Sequence, residues 1–288
     1  MEQILGKEKA EFVLRILAYA MLGQANEQLL FLWVGKGRNG KSSLANIMRS
    51  LFGAYGIVVE PSTFLQKTGS GVSNDLARMR GTRAAFTSEV SQGARLDAAL
   101  VKKLTGQERI SARFLFREYF EFTPQAVFFM STNYLPIVDG SDDAMARRMC
   151  VIPFDYTVPA GEVDQRLGEK LEAEKSGILN RLLVALGDYR SAGLGIPPGI
   201  KEATRIFLEQ SDLIGMFLSD CCKTGIELKI EAGKLYNAYH SFCFEQSLKH
   251  LSLPSFRKAV ERKGFKQKRE KSGNVWIGLG LKSNASRE

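Results

Sequence analysis

The sequence predicts an α/β fold in which a parallel sheet carries a phosphate-binding loop, followed by a helical segment and a small, basic α+β module. Three observations predict it. The stretch FLWVGKGRNGKSSLANIM joins an apolar strand to an amphipathic helix through a Gly-rich turn. Short apolar runs then alternate with helical patterns as far as Pro153, the alternation that builds parallel sheets. Of a net charge of +9 over 288 residues, Cys221–Glu288 alone carries +8, from 14 Lys and Arg against 6 Asp and Glu.

The elements follow in order. At 8–22, Phe12, Val13, Ile16, Leu17 and Ala20 recur at helical spacing, and Phe31–Val34 reads as a buried strand. At 41–52, Leu44, Ile47, Met48, Leu51 and Phe52 form one stripe, and Gly53 stops that helix. Strands are expected at 83–88 and 126–131, a helix near 96–104, and a basic, aromatic hairpin at 109–123. After Pro153 the pattern turns helical, at 163–174, 177–190 and 199–219, with GLGIPPGI at 193–200 as the linker candidate. The tail at 231–280 reads as a helix, a second helix containing PSFRKAVERKGF, and two strands around a turn. That order describes a winged-helix module. Four segments result: a helical 1–30, an α/β core over 31–195, a linker helix at 196–220 and a basic domain at 221–288.

Composition excludes several classes. No apolar run approaches the 18 residues of a membrane span. The N-terminus lacks a secretory pattern. Cys150, Cys221, Cys222 and Cys243 form no zinc spacing and are expected to be inert thiols in a reducing compartment, here the cytoplasm of a bacterial host. His240 and His250 have no ligand-type neighbours in sequence and read as structural. A basic face concentrated in one quarter of the chain suits a polyanion; the alternative is a solubilising surface.

Gly35, Gly40, Lys41 and Ser42 satisfy the G-x-x-x-x-G-K-[ST] pattern between a buried strand and a helix. Glycines let backbone N–H groups turn onto phosphates, and the helix N-terminus adds positive partial charge. Gly35, Lys36, Gly37, Arg38, Asn39, Gly40, Lys41, Ser42 and Ser43 are therefore the expected nucleotide loop. Lys41 would reach the β- and γ-phosphates of ATP, and the Ser42 hydroxyl would ligate Mg²⁺. Hydrolysis needs a carboxylate at a strand end, and Glu89 in RAAFTSEV is the candidate to polarise water and share the metal with Ser42. Asn133, ending AVFFMSTN, would align water or sense the γ-phosphate; the alternative is an Asn that serves the turn. Arg147 and Arg148 suit a finger reaching a neighbouring subunit's nucleotide; the alternative is a surface ion pair with Asp142 or Asp143.

Five stretches in sequence order, GKGRNGKSS, LARMRGTRAAFTSEV, KKLTGQERISARFLFREYFEFTP, FFMSTNYLP and ARRMCVIPF, resemble the successive motifs of superfamily 3 helicases. More narrowly, they resemble the helicase half of phage and plasmid primase–helicase proteins, and the likeness runs through EKLEAEKSGILNRLLVAL into the basic winged tail. The resemblance implies an AAA+ P-loop NTPase core assembled as a ring, usually a hexamer, with ATP between subunits and single-stranded DNA through the centre. It matches Gly40, Lys41 and Ser42 to the nucleotide loop, Glu89 to the acidic motif, Asn133 to the sensor and Arg147 or Arg148 to the finger. The segment from Lys102 to Phe122 matches the DNA-gripping hairpin, where Lys103, Arg113, Phe114, Phe116 and Arg117 mix cations with aromatics suited to phosphates and stacked bases.

Two departures matter. Ser88-Glu89 stands where many AAA+ proteins carry Asp-Glu, so one carboxylate would serve both metal and water. Arg181 stands where relatives often carry an aromatic, a change expected to touch packing or an interface rather than chemistry. The loop begins about 30 residues into the chain, too few for a primase domain before it; the expectation is either that this half is encoded elsewhere, with a separate primase as partner, or that the sequence is a truncated or helicase-only form. In the tail, Arg257, Lys258, Arg262 and Lys263 on a recognition helix, with Lys266, Lys268, Arg269 and Lys271 on the wing, are the expected contacts to forked or origin DNA. The function expected is an ATP-driven, DNA-stimulated helicase or translocase for replicating a mobile element. The alternatives are an AAA+ initiator or loader that melts or holds DNA, and a non-catalytic assembly protein using nucleotide as interface glue.

Overall fold

The computed structural model describes residues 1–66, 74–91, 93–138, 142–246, 248, 250–270 and 273–282. The chain divides into two compact units, one formed by Met1–Val138 with Ala144–Phe207 and the other built on Leu208–Glu288.

In chain order the first unit contains α1 (Glu2–Leu5), α2 (Lys7–Ala20), β1 (Leu30–Val34), α3 (Lys41–Phe52), β2 (Gly56–Val59), α4 (Asn74–Arg78), β3 (Ala84–Thr87) and α5 (Ala98–Thr105). It continues with β4 (Ile110–Ala112), β5 (Phe120–Phe122), β6 (Val127–Thr132), α6 (Asp143–Ala146), β7 (Met149–Pro153), α7 (Leu167–Ala173), α8 (Lys175–Ala192) and α9 (Pro198–Ser211). Five strands form one sheet in the order β2-β3-β6-β1-β7, parallel at every pairing. The mixed α/β unit with this sheet is a P-loop-like core. Edge strand β2 is half-exposed, and the sequence patterns above do not mark it.

The central strands read as continuous apolar runs because both faces of the sheet are covered. Alternate residues Phe31, Trp33, Ala84, Phe86, Val127, Phe129, Cys150 and Ile152 face a core closed by α2, α3 and α8. Phe129 stacks on Phe31 at 5.6 Å and on Phe86 at 5.1 Å, between ring centroids. On the other face Phe128 meets Phe64 edge-on at 5.5 Å. The GLGIPPGI stretch packs within this unit, where the carbonyl of buried Leu194 accepts from Arg15 Nη1 at 2.8 Å.

The second unit contains α10 (Leu213–Cys221), β8 (Cys222–Glu231), α11 (Ala232–Glu245), α12 (Leu253–Arg262), β9 (Lys266–Glu270) and β10 (Gly273–Leu281). Its sheet runs β8-β10-β9, antiparallel throughout. Two helices followed by two strands match the sequence pattern, but β8 is an additional strand, and the helix expected at 199–219 is broken. Asp212 breaks it by capping α10, its Oδ1 accepting from the Gly215 N–H at 2.9 Å. Phe217, Tyr239, Phe256 and Trp276 form the buried centre of this unit.

Candidate functional site: a loop, an amide and a carboxylate at three strand ends

The loop leaves β1 at Val34 and returns as α3. Gly37, Arg38 and Gly40 have φ of 48°, 47° and 77°, the left-handed region in which glycine is favoured. Gly35 is needed for a different reason. A Cβ there would overlap the Phe154 carbonyl oxygen and the Asn39 side chain. The loop is tied down at this point, since Asn39 Nδ2 donates to Phe154 O at 3.2 Å and the Val158 N–H to Arg38 O at 2.8 Å. Gly35→Ala is expected to cost about 2 kcal/mol, measured as a lower Tm, because the Phe154 backbone and the Asn39 side chain must both move.

Lys41 is 4% exposed, an unusual burial for a lysine. Its Nζ donates to Gly35 O at 2.5 Å, to Asn39 Oδ1 at 3.0 Å and to Asn133 Oδ1 at 3.4 Å. Burial pulls the amine below the ordinary lysine range, while the charge of Glu89 pulls the other way. Asn133 sits just past β6, next to a turn in which the Thr132 hydroxyl donates to Tyr134 O at 2.5 Å. The other end of the Asn133 amide donates from Nδ2 to Glu89 Oε1 at 2.8 Å. Lys41, Asn133 and Glu89 therefore form one hydrogen-bonded chain across the C-terminal ends of β1, β6 and β3, which are neighbours in the sheet.

A cleft of about 160 Å³ opens beside this chain, lined by Ser42, Thr87, Ser88, Glu89 and Ser131 among others. The Thr87 hydroxyl is buried and has no hydrogen-bond partner among the described residues. Thr87 and Ser131 were not among the residues expected from sequence, where each reads as an ordinary strand position. On the other side of the loop, a mostly apolar cavity of about 470 Å³ is bounded by Ile4, Leu14, Gly40, Leu44, Leu171 and Arg181. Arg181 thus lines the same cavity as the loop residues Asn39, Gly40 and Ser43. Lys36, Gly37, Arg38 and Ser42 are exposed, and Ser43 is half-buried.

The two arginines part company. Arg148 is half-buried and spent on its own unit. Its Nη1 donates to Ala144 O at 2.8 Å, its Nε to Thr105 Oγ1 at 3.1 Å and its Nη2 to Gln28 Oε1 at 3.5 Å. Arg147 is exposed and makes no ion pair among the described residues. The expected hairpin is β4 and β5, paired Ile110↔Phe122 to Ala112↔Phe120. At its tip Phe116 is 92% exposed with φ 59°, and Arg113 lies over the Tyr119 ring at 4.8 Å. Arg117 and Lys103 are exposed as well.

In the second unit the basic residues divide instead of forming one patch. Arg257, Lys258 and Arg262 are exposed on α12, whereas Lys263 is drawn into an ion pair with Asp212. Strand alternation puts Lys266 and Lys268 on one face of β9 and Arg269 on the other, and Lys271 lies outside the described residues. The His240 and His250 rings lie 4.4 Å apart, a contact that the sequence reading did not anticipate. Among the described residues no group of three or more His, Cys, Asp or Glu side chains could hold a metal, and no helix is long and apolar enough to cross a membrane.

Fold and loop together define a mixed α/β protein with a P-loop-like core. Residues 33–148 match a family of unknown function (DUF5906), and residues 209–278 match the family described as Poxvirus D5 protein-like. The chain is 28% identical over 233 residues to "Putative helicase L207/L206" of Acanthamoeba polyphaga mimivirus, covering 74% of this chain and 24% of that protein. It is 23% identical over 252 residues to "Putative helicase 022R" of Frog virus 3, covering 80% and 26%. It is 23% identical over 141 residues to "Putative primase C962R" of African swine fever virus, covering 48% and 15%. The chain spans about a quarter of the length of the two helicase relatives. Among solved structures, the apo NrS-1 C terminal region superposes with a TM-score of 0.57 at 12% identity, over 93% of this chain and 71% of that one. The chain is thus similar in sequence to viral proteins whose names carry helicase or primase, over residues 209–278 to the Poxvirus D5 protein-like family, and in fold to the NrS-1 region.

Proposed function

We propose that the chain is an ATP-driven, ring-forming DNA helicase or translocase that serves replication of a phage, plasmid, virus or other mobile element. In this reading the first unit is a superfamily 3 AAA+ core and the second a winged-helix module. The single observation that carries it is the Lys41–Asn133–Glu89 chain across three adjacent strand ends. A phosphate-holding amine, a polar sensor and a carboxylate base are the groups that hydrolysis of a γ-phosphate requires.

The residues fit ATP and Mg²⁺. Lys41 is a desolvated cation whose present partners are neutral oxygens, so a triphosphate would supply the missing counter-charge. The orphaned Thr87 hydroxyl, with Ser42, Ser131 and Glu89, lines the cleft with hard oxygens suited to a hydrated Mg²⁺. Bound Mg²⁺ would neutralise charge on the phosphates. Glu89 would take the proton from the attacking water, held at the required angle by its bond to Asn133. The apolar cavity on the other side of the loop has the size of a base site, with Arg181 at its edge.

The exposed Phe116 and Arg117 at the hairpin tip would grip the strand by stacking and charge, and Arg147 would complete the neighbour's site. The names of the viral relatives support a role in DNA replication. A strand-displacement assay on a forked duplex tests the proposal. ATP hydrolysis is expected to rise severalfold with single-stranded DNA, with unwinding in the wild type and none in Lys41→Ala. Hydrolysis indifferent to DNA, without unwinding, would favour an initiator or loader.

A further inference from the structure

A second concave site lies within the second unit, between α11, α12 and the β9–β10 ribbon, with a volume of about 700 Å³. It is remote in sequence from the nucleotide loop, and no residue of the ATPase reading lines it. Its lining is mainly apolar. Tyr236 and Phe256, whose rings lie 5.3 Å apart, form an aromatic wall, and Trp276 lies alongside.

Several polar groups around it are unspent, although the Tyr236 hydroxyl donates to Leu251 O at 2.9 Å. Trp276 is fully buried, yet its indole N–H has no hydrogen-bond partner among the described residues, which is costly unless something supplies an acceptor. Gln267 is the cross-strand partner of Trp276, and Asn274 lies two residues before it, so the three share a face of the ribbon. Asn237 comes from α11. Among the described residues, none of these three amides makes a side-chain hydrogen bond. At the rim, Lys258 has no ion-pair partner among the described residues, and Arg257 shares one edge with Glu261 at 2.9 Å.

We propose that this groove holds one unpaired base of a single-stranded DNA segment, stacked on the aromatic wall. Its hydrogen-bonding edge would face Asn237, Asn274, Gln267 and the Trp276 N–H, with flanking phosphates on Arg257 and Lys258. The chemistry selects this ligand. A flat, amphipathic ring needs an apolar wall and convergent amides, the groups that read base edges. Adjacent cations need an anion on the same molecule. A base inside a duplex cannot enter a recess of this kind without leaving the stack. Lys266 and Lys268 face away from the groove and are left for sequence-independent phosphate contact. The inference rests on the DNA-binding role proposed for this unit, but not on ATP hydrolysis.

The chain has two tryptophans, so Trp33→Phe makes Trp276 a local reporter in the full-length protein without nucleotide. A fluorescein-labelled ten-nucleotide strand is titrated, with anisotropy read for binding and Trp276 emission for the groove. Emission is expected to change saturably with the intact strand, and not with an abasic strand or a blunt duplex of the same length. Asn237→Ala and Asn274→Ala should each weaken the intact strand roughly fivefold and leave duplex binding unchanged. Lys268→Ala should weaken intact strand, abasic strand and duplex alike. The groove is overturned if anisotropy reports binding while Trp276 emission stays constant. It is also overturned if abasic and intact strands act alike, or if the Asn variants weaken duplex and single strand equally. Absence of any DNA binding would overturn both the groove and the DNA-binding role of the unit. Should Trp33→Phe fail to fold, the emission difference between wild type and Trp276→Phe gives the same readout.

Discussion

Glu89→Gln is expected to bind ATP as tightly as the wild type and to hydrolyse it about 10³-fold more slowly. The geometry makes this substitution informative. Glu89 Oε1 accepts from Asn133 Nδ2 at 2.8 Å, and a glutamine there still offers an amide oxygen to the same donor. The position of Asn133, and through it the hold on Lys41, is therefore kept while the charge and the basicity are lost. A fluorescent ATP analogue measures binding and phosphate release measures turnover. Lys41→Ala is the contrasting variant. It removes a group that is both buried and cationic, the only one of that kind in the site among the described residues, so binding and hydrolysis should fall together. A Glu89→Gln protein that turns over ATP within tenfold of the wild type would remove Glu89 from the role of base. One carboxylate beside four hydroxyl-bearing residues, Ser42, Thr87, Ser88 and Ser131, would then have to be assigned to the metal alone.

What was legible in the sequence was whatever leaves a periodic trace over a few consecutive residues. The strand, loop and helix at 30–52 were readable because periodicity changes from a buried apolar run to a 3.6-residue stripe across a glycine turn. Strand β2 was not, since a four-residue edge strand with a single buried residue has no alternation to detect. Strand β8 was hidden for a related reason: CKTGIELKIE is mostly exposed, and its order comes from β10, some fifty residues later. The helix break at Asp212 was legible in principle, because Ser-Asp ahead of an apolar run is an N-cap signal. The same division holds in the site. Lys41, Glu89 and Asn133 sit at pattern positions. Thr87 and Ser131 matter only because their strands are neighbours in the sheet. Lys263 looked like its basic neighbours until the fold brought Asp212 against it, and two histidines ten positions apart gave no hint of ring contact.

Arg147 and Arg148 set the sharpest case, because adjacent identical residues carry no sequence information about which one is free. Their surroundings separate them. Arg148 bonds to three separate segments of its own unit, so Arg148→Ala is expected to lower Tm, at a cost of about 1–3 kcal/mol for groups left unpaired, and to reduce activity mainly through lost protein. Arg147 is exposed and makes no ion pair among the described residues of its own subunit. Arg147→Ala should leave Tm and ATP binding unchanged and reduce kcat by about 10³-fold or more, the effect of removing an arginine finger. The decisive measurement mixes two inactive variants. In a head-to-tail ring each site takes its loop from one copy and its finger from the next. A 1:1 mixture of Arg147→Ala and Lys41→Ala chains therefore rebuilds about one quarter of the sites with both groups intact. Partial recovery of ATP hydrolysis, rising and falling with the mixing ratio, is the expected outcome. No recovery at any ratio, with co-assembly verified, would mean that Arg147 does not act on a neighbour's nucleotide, and the site would have to be complete within a single chain.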